Sequence, residues 1–336
     1  MFNIEKEINN KSILITGGTG SFGNMLTKIL LTKYQPKKIV IFSRDEYKQD
    51  VMKKLYPEDT YKNIRYFIGD VRNYERLELA LHKIDIVFHA AALKQVPALE
   101  YNPTEAIYTN IHGSENVIKA AVKNNVSKVI ALSTDKSVMP VNLYGATKMC
   151  LERLFVSANY MYGGTNTIFA VVRYGNVLGS RGSVVPLFLE QKNKNVLTLT
   201  DPRMTRFTLT LEDAVMFVLN NLTLMIGGEI YIPKLPSYNL VQIAKIIAPE
   251  AEQKIIGIRP GEKLHESMIC PDESYLALEF DKFYVLTPFI KAKMNKNYDE
   301  HYKCLNPKQV EKETSYNSGS NKLIDDNKLK ELIEKL

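Results

Sequence analysis

A strand-forming run, Ser12-Ile13-Leu14-Ile15-Thr16, passes without a break into Gly17-Gly18-Thr19-Gly20-Ser21-Phe22-Gly23 and then into an amphipathic stretch, 24–34. Strand, glycine turn and helix in direct succession leave few folds open, because the helix has to fold back over the strand it follows. Glycines spaced GxxGxxG let the backbone turn sharply and approach a pyrophosphate. The helix start offers that group unpaired N–H donors and a partial positive charge. Gly17, Thr19, Gly20, Ser21, Phe22 and Gly23 are therefore candidate contacts to a dinucleotide.

The alternation continues. Apolar, β-branched runs recur at 38–43, 64–70, 85–91 and 128–134, each followed by a polar or amphipathic stretch, with further strands expected at 168–175 and 229–233. This pattern predicts an α/β fold: a Rossmann-type doubly wound parallel sheet joined to a smaller α/β substrate-binding domain. The expected boundaries are 10–175 for the dinucleotide domain, with a return segment near 207–232 that includes the helix LEDAVMFVLNNL. Segments 176–206 and 233–288 are assigned to the substrate-binding domain, and 289–336 to a polar tail closed by a final amphipathic helix. No stretch has the ~18 uninterrupted apolar residues of a membrane span, and the N-terminus does not read as a signal peptide. A cytoplasmic location is expected, with no membrane partner. Cys150, Cys270 and Cys304 lie far apart without metal-ligand spacing, so neither disulfides nor a bound metal is expected. The net charge of +7 comes from lysines scattered among nearly as many acids, which argues against nucleic acid.

Folds of this kind read the adenosine ribose at the end of the second strand, where NAD enzymes place a carboxylate. Here that strand ends Phe42-Ser43-Arg44. A guanidinium and a hydroxyl suit a 2′-phosphate, and Lys48, one helical turn on, adds a third donor, so NADP is the expected cofactor. Asp45 keeps NAD open, since swung inward it could hold the ribose hydroxyls. Asp70 and Val71, closing the third strand, are placed to flank the adenine.

Tyr144 and Lys148 stand four apart, which on a helix puts phenol and ammonium on one face. The same spacing at Tyr34 and Lys38 lies before a strand, away from any plausible site. Tyr144 follows the fifth strand and Ser133-Thr134-Asp135-Lys136, at the sheet edge where ligands of such folds bind. To serve as a base near neutrality a tyrosine must fall from about 10 to about 7, roughly 4 kcal/mol, and Lys148 with the positive nicotinamide is expected to supply this. Reductases and 4-epimerases use a hydroxyl such as that of Thr134, a tyrosine and a lysine. They have no use for a further acid and base at Asp135 and Lys136. A sugar 4,6-dehydration needs both: oxidation at C4 makes the C5 proton acidic and turns the C6 hydroxyl into a leaving group. Lys136 would then remove H5 and Asp135 protonate the C6 oxygen, and the cofactor would end unchanged. Lys136 must be neutral to act so, which calls for a lowered pKa. A loop ion pair between Asp135 and Lys136 is the competing reading. His89, at a strand end, reads as a packed structural histidine.

In order along the chain, TGGTGSFG (16–23), FIGDVRN (67–73), HAAALKQVP (89–97), STDK (133–136), LYGATK (143–148), RYGNVLGSRGSVVP (173–186) and RPGEKLHE (259–266) resemble the inverting UDP-N-acetylglucosamine 4,6-dehydratases, which open pseudaminic acid synthesis. The similarity runs from about Asn10 to Pro288. It departs at Gln95, where relatives tend to carry His, and in the tail. The resemblance implies a homo-oligomer and adds Ala90, Lys94, Asn110 and Val177 to the cofactor contacts. It implies that Lys94, Asn176, Arg181, Gly182, Ser183, Val184 and Val185 line the sugar nucleotide, while Phe188, Thr200, Arg206, Arg259 and Glu262 hold the UDP end. It implies a C5-inverted product, because retaining relatives usually carry membrane-spanning N-terminal segments and replace the tyrosine. A 4-epimerase, a retaining dehydratase and an NADP-sensing regulator are the rival readings.

Overall fold

The structure, a computed structural model, describes residues 3–180, 182–291 and 296–336. Six strands, β1 (Ser12–Thr16), β2 (Lys38–Ser43), β3 (Ile64–Ile68), β4 (Ile86–His89), β5 (Lys128–Thr134) and β6 (Ile168–Tyr174), lie parallel in the order β3-β2-β1-β4-β5-β6. The order reverses between β1 and β4, the crevice where a doubly wound sheet holds its ligand. Both faces of these strands are covered, so alternate residues enter opposite cores. Ile13, Ile15, Ile39, Ile41 and Phe88 pack with helices Ser21–Lys33 and Leu211–Leu224. Leu14, Val40, Phe42, Val87 and Val129 pack with helices Gly113–Lys123 and Leu143–Met161.

Beyond β6 the chain leaves the sheet through β7 (Asn176–Val177), β8 (Val196–Leu199) and β9 (Thr205–Leu209), and returns along Leu211–Leu224 to β10 (Ile230–Pro233), parallel to β6. The strand β11 (Ser237–Asn239) pairs with β9, and β12 (Glu252–Ile255) with β8. With helices Val184–Lys192 and Leu240–Ile247 they enclose a second, smaller core around Phe188, Leu199 and Ile243.

Segment 233–288, expected whole in the smaller unit, is divided. After β13 (Ser267–Ile269), the strands β14 (Ala277–Glu279) and β15 (Phe283–Leu286) rejoin the main sheet as an antiparallel extension of β10. The tail is also folded in. Its strand β16 (Lys308–Gln309) makes the tenth strand of that sheet, β17 (Tyr316–Asn317) pairs with β13, and helix Asp326–Glu334 buries Leu329 and Ile333 in the smaller core. Two apolar residues suffice because the core they enter is already built by other segments.

Candidate active site

The glycine turn is shaped by close approach. Gly17 has φ +65°, and a Cβ there would meet Ala91 N at 2.8 Å; one at Gly18 would meet Ile41 Cγ2 at 2.8 Å. Gly23 packs its backbone on Gly18, so this turn of helix rests directly on the loop. The helix begins at Gly20 with no side chain capping it, which leaves its first N–H groups for a phosphate. The cradle thus fits a dinucleotide. Thr19 and Phe22 are buried, Phe22 in the core beneath the loop, while Gly20 is exposed.

At the end of β2 the side chains are already engaged. Asp45 caps helix Glu46–Leu55 by accepting from Lys48 N (2.9 Å), and its carboxylate pairs with Lys48 Nζ at 2.7 Å. Ser43 is buried and accepts from Gln49 (3.1 Å). Arg44, half exposed, lies 3.6 Å from Asp70, which Arg72 also holds at 2.7 Å. Val71 is buried against Gly113 rather than open to a ligand, its methyls filling the space where a Cβ at Gly113 would stand.

His89 is buried and stacks on Phe155 at 5.7 Å. Its Nδ1 lies 2.8 Å from Thr16 Oγ1 and its Nε2 3.1 Å from Ser114 Oγ, and Ser114 donates to the Asn110 carbonyl (2.6 Å). Burial, with Lys148 nearby, pushes its pKa down to about 3, the structural role expected of it. Ala90 N donates to Thr16 Oγ1 (3.2 Å) and Lys94 is exposed on the following loop. Asn110, expected against the cofactor, is instead a fully buried brace. Its side chain accepts from Leu93 N (2.8 Å) and donates to Leu93 O (2.9 Å) and Thr147 Oγ1 (3.0 Å), tying that loop to the tyrosine helix.

β5 ends in a single tight turn, Asp135–Ser137, and helix Leu143–Met161 starts against it. A Cβ at Gly145 would collide with the Lys136 carbonyl, so only glycine lets Tyr144 come this near Asp135 and Lys136. Asp135 is fully buried. Its Oδ1 accepts from Thr134 Oγ1 (2.9 Å) and Lys136 Nζ (3.0 Å), while its Oδ2 has no hydrogen-bond partner among the described residues. Lys136 Nζ also lies 3.5 Å from Asn176 Oδ1 and 3.4 Å from Glu266 Oε1. Burial, with Glu266 close, holds the Asp135 carboxyl above its ordinary range against the pull of Lys136, which suits a proton donor.

Two expectations about charge change sign or source. Lys136 was expected to be driven toward the neutral amine. Burial does push that way, but Asp135 and Glu266 outweigh it and hold the ammonium above its ordinary pKa. Lys148 was expected to acidify Tyr144. It donates instead to the Leu132 carbonyl (2.5 Å) and is itself lowered to about 8 by burial. Burial raises Tyr144 to about 12, opposed chiefly by the Lys136 ammonium and by a hydrogen bond with Thr134.

The expected sugar-nucleotide residues divide. Asn176 reaches Lys136, and Val177 on β7 pairs beside β9. Gly182, with φ +78°, faces Gln95, whose Nε2 would lie 3.0 Å from a Cβ. Ser183 starts helix Val184–Lys192 without capping it, and its buried Oγ has no partner among the described residues. Val185 and Phe188 are each 1% exposed, leaving almost no surface for a ligand, because they stand three positions apart on the helix and both face the smaller core. Thr200 and Arg206 are buried, both bonded to Met204 Sδ, with Arg206 also donating to Thr205 O (2.7 Å). Arg259 is exposed, 3.9 Å from Glu262, whose buried Oε2 has no hydrogen-bond partner among the described residues. Arg181 lies outside the described residues. Sequence reasoning missed Glu266, although it closes the same RPGEKLHE run that supplied Arg259 and Glu262. It also missed Glu152, four residues beyond Lys148 on the same helix.

The model of the polysaccharide biosynthesis protein family matches residues 13–288. This chain belongs to that family. A Campylobacter jejuni protein (subsp. jejuni serotype O:23/36, strain 81-176) named UDP-N-acetylglucosamine 4,6-dehydratase (inverting) is 53% identical over 317 residues, 93% of this chain and 94% of its own. The resemblance read from the motifs is thereby borne out. A Rickettsia felis protein named UDP-glucose 4-epimerase is 42% identical over 332 residues, 96% of this chain and 95% of its own. The crystal structure of Pen from Bacillus thuringiensis superposes with a TM-score of 0.88 at 39% identity, covering 98% of each chain. No helix among the described residues is long and apolar enough to cross a membrane.

Proposed function

We propose that this family member is a UDP-N-acetylglucosamine 4,6-dehydratase that inverts C5, giving UDP-2-acetamido-2,6-dideoxy-β-L-arabino-hexos-4-ulose, and that it works with NADP in the cytoplasm as a homo-oligomer. In this reading it supplies the first step of pseudaminic acid synthesis. The observation that carries it is the buried Asp135 carboxyl 3.0 Å from Lys136, with Tyr144 near enough for both to act on its phenol. A 4-epimerase, the activity named for the Rickettsia relative, moves protons and electrons only at C4 and leaves such a pair idle.

NADP would be held by the turn Gly17–Gly23, by Arg44 and Lys48 at a 2′-phosphate, and by Lys148. Preference for it is supported by Asp45, whose carboxylate is already committed to capping its helix. When bound, the cofactor supplies transient oxidation at C4 and the matching reduction at C6. Tyr144 accepts the C4 hydroxyl proton, and the Lys136 ammonium near it reduces the cost of a buried phenolate. Lys136 takes H5 from the 4-keto sugar, and Asp135 delivers a proton to the C6 oxygen, which departs as water. Elimination leaves C5 planar, so its configuration depends on the face that receives the new proton. Incubation with UDP-N-acetylglucosamine in deuterium oxide should give a 4-keto-6-deoxy product with deuterium at C5 and couplings of the L-configuration. A first-formed product of the D-xylo series would assign retention, and an intact C6 hydroxyl would assign epimerisation.

A further inference from the structure

We propose that Glu266 is a positioning residue for the dehydration, taking up the proton that Lys136 has to lose before it can act as the base at C5. The proposal rests on the reading of Lys136 as that base. An ammonium cannot abstract a proton, and in this site two carboxyl groups flank it. Asp135 is spoken for, since its proton goes to the C6 oxygen. Glu266 stands on the other side of the ammonium, its Oε1 3.4 Å from Lys136 Nζ, and is 2% exposed.

Glu266 is ionised and keeps one oxygen open to a proton. Its Oε2 is buried with no hydrogen-bond partner among the described residues, so nothing but charge holds that oxygen. The charged groups facing it come from three segments: Lys136 on the turn after β5, with Asp135 beside it; Arg206 on β9, its Nε 3.8 Å away; and Lys263 on the loop before it, 3.8 Å from Oε2. Tyr238 on β11 feels its charge as well. Burial alone would raise the carboxyl, but Lys136, Arg206 and Lys263 outweigh it and keep it ionised. Its backbone is pinned from the tail: Glu266 N donates to Ser318 Oγ (2.9 Å), and Ser318 N donates to Glu266 O (2.8 Å).

The protons balance. At rest the cluster holds Asp135 as the acid, Lys136 as ammonium and Glu266 as carboxylate. Transfer of one proton from Lys136 Nζ to Glu266 leaves a neutral amine and a neutral acid with no change in total charge. The amine takes H5 and becomes ammonium again, Asp135 gives its proton to the C6 oxygen, and water leaves; the protons then held by Glu266 and by Tyr144, which took that of the C4 hydroxyl, are the two needed to protonate C5 and restore Asp135. The shift creates no net charge and so leaves no uncompensated ion in the interior, but it runs against the attraction that holds the ammonium above its ordinary pKa, and the neutral amine is therefore the minor form.

The test compares wild type, Glu266→Gln, Glu266→Asp and Lys136→Ala for kcat, KM and incorporation of solvent deuterium at C5 between pH 6 and 9. Glu266→Gln keeps the shape and removes the acceptor. It should lower kcat at neutral pH by about 100-fold, within the range of a lost acid–base partner, with KM nearly unchanged. Its residual kcat and deuterium incorporation should rise with pH, because Lys136 then has to shed its proton to solvent, whereas wild type stays flat. Glu266→Asp should recover much of the rate, and matched thermal unfolding of all variants would exclude misfolding. A Glu266→Gln enzyme within about threefold of wild type, or depressed equally at every pH, overturns the proposal. Lys136→Ala that still turns over at near wild-type rate would instead overturn the reading of Lys136 on which it rests.

Discussion

Gly145→Ala should disable the enzyme while barely unfolding it. The added methyl would stand 3.0 Å from the Lys136 carbonyl carbon and 3.1 Å from Pro140 Cβ, and closer still to the Lys136 carbonyl oxygen. Two of these three atoms are backbone and cannot rotate aside, so helix Leu143–Met161 and the Asp135–Ser137 turn have to separate. Two effects oppose each other in stability. Alanine gains about 1 kcal/mol over glycine within a helix, while forcing a methyl into packed space costs about 1–3 kcal/mol. The net loss of roughly 0–2 kcal/mol is a modest fall in Tm. Catalysis has no such offset: a displacement near 1 Å between the phenol of Tyr144 and the Asp135–Lys136 pair is expected to cost about 100-fold in kcat. Product formation followed by NMR, with thermal unfolding in parallel, reads both. Gly164→Ala, where nothing lies within 4 Å of the new methyl, is the control and should be silent. If Gly145→Ala turns over within about threefold of wild type, the close approach of helix and turn is not what places Tyr144.

Three further outcomes follow from the same geometry. Arg44→Glu should turn the preference from NADP to NAD, read by titrating each nucleotide against intrinsic fluorescence; unchanged NADP affinity would remove Arg44 from the 2′-phosphate. Tyr144→Phe should abolish reduction of the bound cofactor by substrate, whereas Lys136→Ala should permit it and stall before water is lost, a difference visible in single-turnover absorbance. His89 has a folded pKa of about 3 against about 6.5 unfolded, so the unfolded chain binds the extra proton and stability falls as pH drops from about 6.5 toward 3. His89→Gln should flatten that part of the Tm–pH curve, and an unchanged slope would place the acid sensitivity elsewhere.

The parallel sheet was legible because strands covered on both faces leave near-continuous apolar runs, and β1 through β6 fall on such runs. The glycine turn was legible because strand, glycines and helix are contiguous. Asp135, Lys136, Tyr144 and Lys148 lie within one strand-to-helix passage, so local spacing could bring them together. Glu266 closes the RPGEKLHE run, but nothing local ties it to Lys136: β13 and β17 carry it there from far along the chain, and sequence spacing does not record such an approach. The tail misled for a related reason. Strands β16 and β17 are two residues each, and the final helix gives its neighbours only Leu329 and Ile333 as fully committed apolar contacts. Its low apolar density describes a segment that completes cores built elsewhere. Charge states were the least legible, since the pKa of Lys136 depends on the two carboxylates that flank it, and only one of them is its neighbour in sequence.

The buried charges under the site explain why so polar an interior is tolerated. Arg173, 1% exposed, holds Glu152 at 2.6 Å and Glu273 at 2.8 Å, an arrangement that replacement by apolar side chains would often equal in stability. What apolar side chains could not do is fix the reacting turn. Glu152 Oε1 accepts from Ser133 Oγ at 2.6 Å and lies 2.8 Å from Ser137 Oγ, so the residues on either side of Thr134-Asp135-Lys136 are held by one carboxylate. The same carboxylate pulls on Lys148 across one turn of helix, keeping its pKa from falling further than burial has already driven it. Strand β6, through Arg173, therefore sets the position of the turn that ends β5 and the charge of the lysine on the next helix. A network that adds little to stability is placed where it holds the turn carrying Asp135 and Lys136 and moderates the charge of Lys148.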